Sequence, residues 1–392
     1  MIARKIADQM GRGSMIRKMF EEGNRLKALY GADQVYDFSL GNPDLEPPRA
    51  VQEALCRLVL DKRPGLHSYM SNAGHESVRQ AVAARYSRLS GLPVTAGQVC
   101  MTVGAAGALN SVLKALLDPG DEVILLAPFF FEYLSYIDNH GGVAVEVPCD
   151  RDTLLPDLAA IRQALTPKTK AIIINSPNNP SGVIYPEWLL RALDDLLQKQ
   201  DHVITVLSDE PYAELAYDGN IVPSTLACLR QVVVCTSWSK TLSLPGERIG
   251  CLIVSPRCQE SDRLIQAAVY CNRVLGYVNA PALFQRVIEE AIDAKVDISL
   301  YEKRRDMLAE VLLAAGFKLQ KPQGGLYLFP HSPGDDDVAF AAACARHRVL
   351  LVPGSGFHFQ GYVRLCFAVK ESVIENSVPA FQAIAREYGL KG

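Results

Sequence analysis

Several kinds of signal are missing from this 392-residue chain. Its ten cysteines are scattered and form no CxxC pair, and its seven histidines show neither HxxxH nor mixed Cys/His spacing. Neither a disulfide framework nor a metal site is therefore expected, and the cysteines read as reduced, mostly buried small hydrophobes. An excess of charge of one sign is also missing. A net charge of −3 gives no electrostatic case for nucleic acid or a membrane surface. The longest apolar stretch, near residues 123–131, falls well short of the roughly 20 residues needed to cross a bilayer. The N-terminal MIARKIADQMGRG lacks the apolar core and small-residue cleavage site of a signal peptide, so a cytoplasmic location is expected. There is no GxGxxG fingerprint and no P-loop, which counts against dinucleotides and nucleoside triphosphates.

What is present is an ordinary globular composition, 49% apolar and 21% charged. The length suggests two or three domains of roughly 100–200 residues. Seven short β-rich apolar runs fall at 98–103, 122–127, 143–147, 171–175, 203–208, 232–237 and 250–254. They are apolar on both faces and alternate with stretches at helical spacing such as 186–200. That pattern predicts a large α/β domain with a mainly parallel seven-stranded sheet covered by helices. After about residue 291 a charged amphipathic stretch (296–315) precedes short runs at 326–329, 349–352 and 363–369, with helical patterns around 337–347 and 371–388. This reads as a smaller α+β domain. The expected division is 38–290 for the large domain, and 1–37 with 291–392 for the small one. No Gly/Ser-rich linker separates them, so one continuous helix is expected to join them.

In open α/β sheets, ligands lie at the carboxyl ends of strands. The first run is followed by Gly104-Ala105-Ala106-Gly107-Ala108, a turn of small residues opening a helix. Its backbone N–H groups could meet a phosphate, although a packing turn explains the residues as well. The fourth run leads into Asn178-Asn179-Pro180-Ser181-Gly182, which also spells a plain turn. The fifth leads into Asp209-Glu210-Pro211-Tyr212, where the carboxylate could be a helix cap or could hold a cation. The sixth leads into Ser237-Trp238-Ser239-Lys240, with Arg248 eight residues beyond the lysine in Gly246-Glu247-Arg248-Ile249-Gly250. A lysine at a buried strand end is costly if charged and unpaired, and otherwise snorkels to solvent. Together these groups describe one ligand: a phosphate, a cationic ring nitrogen, a phenolate oxygen and an aldehyde. Pyridoxal 5′-phosphate (PLP) has all four.

On these motifs the sequence resembles the class I/II aminotransferases of PLP fold type I. The resemblance runs from Ser39-Leu40-Gly41-Asn42-Pro43 to Arg364, with the NNPSG, DEPY, SWSK and GERIG segments in the family's order and spacing. It implies that Lys240 holds the cofactor as a Schiff base and, once released, moves the proton between Cα and C4′. It implies that Asp209 keeps the pyridinium protonated and that Asn179 and Tyr212 bond the 3′-oxygen. Ser237, Ser239, Arg248 and the backbone of Ala105 and Ala106 would hold the phosphate. With no hydroxyl side chain in the turn 104–107, contacts from it must come from the backbone. Phe130 would stack on the ring; a core aromatic is the competing reading. Arg364 would grip the substrate α-carboxylate, with Gly41 and Asn179 assisting. Tyr69 would reach the phosphate of a neighbouring subunit, which implies a homodimer with shared sites.

The implied reaction is ping-pong transfer of an amino group from an L-amino acid to a 2-oxo acid, with 2-oxoglutarate as the expected acceptor. Lys240 must be neutral when released, so burial and nearby cations should depress its pKa. A lyase of the same fold, of the β-eliminating C–S type, is the main alternative, since the motifs do not separate the two. Ser237 and Lys240 also satisfy S-x-x-K, but that acyl-enzyme reading wants the lysine on a helix. A PLP-binding transcriptional regulator would need a DNA-binding domain ahead of Gly41, where about 40 residues leave no room. The donor amino acid is not legible. No distal-carboxylate arginine can be assigned; Arg12, Arg17 and Arg273 are candidates by charge alone. The aromatic-rich stretch 129–136 leans away from strict aspartate specificity.

Overall fold

The computed structural model describes residues 2–11, 15–61, 64–334 and 336–391. A short strand β1 (Tyr36–Asp37) precedes the seven strands of the main sheet. These are β2 (Val99–Thr102), β3 (Glu122–Ala127), β4 (Val143–Pro148), β5 (Thr169–Asn175), β6 (Thr205–Asp209), β7 (Val232–Ser237) and β8 (Gly250–Val254). All seven coincide with the apolar runs, and their order in space is β2-β8-β7-β6-β5-β3-β4. Only β8 runs against its neighbours; the other adjacent pairs are parallel.

Both faces of this sheet are buried except at the edge strand β4, which is why its inner strands read as unbroken apolar runs. Successive residues point to opposite faces. Ile172 and Ile174 pack into one core with Ile124, Val206 and Val234. Ala171 and Ile173 pack into a second core with Leu125, Leu207 and Val233. The helix Glu187–Leu197 covers the first face through Leu189, Leu190 and Leu193. The helix Gly104–Leu116 covers the second through Ala108, Leu109 and Val112. Truncating one such isoleucine to alanine would cost roughly 2–5 kcal/mol.

The antiparallel β8 shapes the functional edge. Its first residue, Gly250, pairs with Thr102 at the end of β2 and with Ser237 at the end of β7. The segment entering β8 therefore lies at the same sheet edge as the segments leaving β2 and β7. A Cβ on Gly250 would come within 2.5 Å of the Thr236 carbonyl and 2.6 Å of Gly104, so only glycine lets the three backbones meet.

Beyond residue 291 lie β9 (Tyr327–Leu328), β10 (Val349–Leu350), β11 (Val352–Pro353) and β12 (Val363–Cys366). The 349–352 run, read as one strand, is split between two sheets. Its first half pairs with β1, and its second joins the antiparallel set β11-β12-β9. The helices Ile298–Ala314 and Glu371–Glu387 close a third core around Phe38, Tyr301, Leu308, Leu365 and Phe381.

The expected continuous joining helix is not found. The helix Ala282–Glu290 ends, residues 291–297 run as turn and coil, and a new helix starts at Ile298. Asp297 caps that start by accepting from the Ser299 N–H, and buried Val296 anchors the connection. At the N-terminus, Leu26 packs with Val35 and Leu350 beside β1. The first helix instead sends Lys5 to the main-sheet side, where it bonds the Asp138 carbonyl at 2.8 Å.

Candidate active site

The carboxyl edge of the main sheet and the face of β12 enclose one cavity of about 330 Å³. Twelve of the thirteen residues singled out from sequence line it: Gly41, Ala105, Ala106, Phe130, Asn179, Asp209, Tyr212, Ser237, Ser239, Lys240, Arg248 and Arg364. Tyr69 does not; it lies outside and is 90% exposed.

One corner is built for an anion. Gly104 opens its helix at φ +70°, and a Cβ there would sit 2.7 Å from Arg248 Nη2. No side chain caps this helix, so the backbone N–H groups of its first turn, at Ala105 and Ala106, face the corner with the positive end of the dipole. Ser237 Oγ donates to Ser239 Oγ at 3.2 Å, which places both hydroxyls together. Arg248 adopts φ +51°, a left-handed conformation unusual for a non-glycine residue and common where a side chain must be aimed.

At the end of β6, Asp209 is buried. Its Oδ2 accepts from the Tyr133 hydroxyl at 2.5 Å, while Oδ1 has no partner. Burial pushes this carboxyl up to about 7, the Tyr133 hydrogen bond pulls it down, and Glu210 adds to the rise. A buried carboxylate with an unsatisfied oxygen calls for a cationic N–H donor. Across the cavity, Lys240 Nζ donates to the Gly41 carbonyl at 2.6 Å. Its pKa is lowered to about 8, first by burial; Cys366 opposes the shift, and Arg364 and Arg248 reinforce it. The expected direction and causes are thus found.

Arg364, on β12, is 2% exposed and forms no ion pair among the described residues. Nη1 donates to Asn179 Oδ1 at 3.1 Å and Nη2 to the Ser39 carbonyl at 2.7 Å, leaving Nε unpartnered. Its guanidinium lies 4.3 Å from the Tyr327 ring centroid and 4.8 Å from that of Phe357. A buried cation held by neutral groups is strongly destabilising unless an anion completes it. Asn179 is held in turn through its backbone N–H, which donates to Asn175 Oδ1 at 2.7 Å.

The description "Aminotransferase class I and II" matches residues 33–381, most of the chain. The chain belongs to the class I and II aminotransferases. It is 35% identical over 350 residues to a probable aspartate/prephenate aminotransferase of Thermus aquaticus, covering 87% of this chain and 89% of that protein. An aminotransferase of Eubacterium rectale superposes with a TM-score of 0.95 at 38% identity, covering 99% of each chain. The Thermus thermophilus aspartate aminotransferase solved with maleate gives 0.87 at 29% identity, covering 98% of this chain and 99% of that one. The fold is accordingly that of the aspartate aminotransferases, and the protein is an aminotransferase.

Aminotransferases of this class use PLP, and the donor set fits it. The orphaned Asp209 oxygen suits a ring N–H, the turn with Arg248 suits a phosphate, and a readily neutralised Lys240 suits an aldehyde.

Among the side chains of this aminotransferase cavity that sequence reasoning missed are Glu132, Tyr133, Tyr136 and Tyr327. Three lie on the short helix Glu132–Asn139, just after Phe130, within the aromatic-rich stretch noted from sequence. Tyr327 opposes Cys366 across β9 and β12, so its hydroxyl reaches Tyr212 at 3.1 Å. Its position follows from pairing register, which a single sequence does not display. Of the distal arginine candidates, Arg273 is exposed and outside the cavity. Arg12 and the side chain of Arg17 lie outside the described residues.

Proposed function

We propose that this aminotransferase carries PLP on Lys240 and transfers an amino group from an L-amino acid to a 2-oxo acid in two half-reactions. When bound, the cofactor supplies the aldehyde and an electron-withdrawing ring. Ser237, Ser239, Arg248 and the Ala105 and Ala106 N–H groups bind its phosphate. Phe130 packs on the ring, and Asp209 keeps the ring nitrogen protonated. Tyr212 donates to the 3′-oxygen. Arg364, steadied by Asn179 and Ser39, binds the substrate α-carboxylate and orients the Cα–H bond. Lys240, which would hold the cofactor's aldehyde, would once released offer Nζ as the neutral base for the Cα proton and hold that proton for return; a pKa near 8 makes the free amine available at modest energetic cost.

The observation that carries this reading is the pairing of an unsatisfied Asp209 oxygen with a neutralisable Lys240 in one cavity. The reading includes the 38–290 division, a cytoplasmic enzyme and a homodimer in which the partner subunit's Tyr69 reaches the phosphate. Exposure of that ring outside its own cavity supports the last point. No helix among the described residues is long and apolar enough to cross a membrane.

The test is to load the protein with PLP and add amino acids singly without any oxo acid. The proposal predicts one equivalent of 2-oxo acid per site, with further turnover only when an acceptor such as 2-oxoglutarate or pyruvate is supplied. Continuous release of pyruvate and ammonia without an acceptor would replace the transferase with a lyase.

A further inference from the structure

Five charged side chains line the cavity: Lys240, Arg248, Arg364, Asp209 and Glu132. The proposed function uses four of them, two on the cofactor's charges, one on its aldehyde and one on the substrate α-carboxylate. Glu132 is left over, and it is a carboxyl group. Its Oε2 is buried and has no hydrogen-bond partner, and it makes no ion pair with Arg364 among the described residues. Burial raises its pKa, against the pull of its own backbone N–H and of Arg364. The cation acting on it is Arg364, and Tyr327 feels both charges, which sets it toward the Arg364 end of the cavity it lines.

A carboxylate in the first turn of the helix Glu132–Asn139 is favoured by the dipole, and that alone would explain an exposed glutamate. It does not explain an oxygen turned into a cavity wall with no donor, because a buried polar atom normally finds one. Aromatic side chains not used by the cofactor, Tyr136 and Tyr327, line the same cavity. Aromatic faces beside a carboxylate make a site for a cation and a poor one for a second carboxylate.

We infer that Glu132 selects amino acids whose side chains end in a cationic group, an ammonium or guanidinium, and disfavours those ending in a carboxylate. The inference rests on the aminotransferase reading above and deepens it. It separates this chain from relatives whose names specify aspartate or prephenate, and it makes 2-oxoglutarate a poorer acceptor than pyruvate.

Binding is measured on the PLP-loaded enzyme by calorimetry with two unreactive probes, 4-guanidinobutanoate and glutarate. They share a carboxylate for Arg364 and differ in the distal charge. The expected result is 4-guanidinobutanoate binding at least about tenfold tighter, the scale of one charge-assisted contact. In Glu132→Gln, with its visible cofactor absorption intact, the two affinities should converge to within about twofold. Equal affinities in the wild type, a preference for glutarate, no binding of either probe, or a preference that survives in Glu132→Gln each overturns the inference. The wild-type comparison stands even if the variant fails to fold. Failure of the aminotransferase reading would show separately, as no 2-oxo acid released from any amino acid.

Discussion

At one end of the cavity, Asp209, Ser237 and the turn after β2 are fixed by neighbours in a single hydrogen-bonded sheet. At the other end, Arg364 and Tyr327 arrive from the paired strands β12 and β9 of a separate small sheet, and Glu132 from a short helix, so the set meets only where these units pack together. The difference lies in what each end leaves unsatisfied. The first presents a set of groups that a single cofactor completes. The second presents a buried arginine and a half-buried carboxyl group with no mutual ion pair among the described residues, so its proposed complement is a molecule carrying both charges. Substitutions at the first end should therefore affect whether the chemistry proceeds, and those at the second should decide which molecule undergoes it.

The substitution that separates the ends most strongly is Arg364→Ala. Removing a buried charge that binds its counter-ion directly costs roughly 2–5 kcal/mol, so kcat/KM for every amino acid should fall by about 100-fold or more. PLP affinity should fall far less, since Arg364 reaches the cofactor's groups only indirectly, through Asn179 and its effect on Lys240. Steady-state kinetics alongside cofactor titration checks this, and an equal loss of cofactor affinity would break the distinction.

A smaller effect is expected from Tyr133→Phe. The Tyr133 hydroxyl is the one group pulling the Asp209 carboxyl down, so its loss pushes that carboxyl further above about 7. A carboxyl whose pKa is raised is neutral over more of the pH range, and PLP affinity then fails at higher pH as pH falls. The loss near neutrality should be about three- to tenfold, the worth of one hydrogen bond. Titrating PLP affinity against pH in both proteins would show the midpoint moving upward; an unmoved midpoint would mean that Tyr133 does not tune Asp209.

The same division governs what the sequence displayed. The main strands were legible because burial of both faces leaves a local record in all but the edge strand β4, and the cofactor groups follow those strands at short intervals. Arg248 was found through its motif, yet its place depends on β8 running backwards, which no local signal announced. Tyr327 depends on register between β9 and β12, and Glu132 sits in the first turn of a helix, where an acid gives no signal of a site. The joining segment failed for a related reason. Lack of glycine suggested a continuous helix, while Asp297 was free to cap a new one.

Chemical identification of the modified lysine tests the central claim most directly. The PLP-loaded protein is reduced with borohydride, then digested and analysed by mass spectrometry. The account predicts one pyridoxyl group per chain, on Lys240, and none there in protein reduced without cofactor. A pyridoxyl group on another lysine, or none at all, would contradict it.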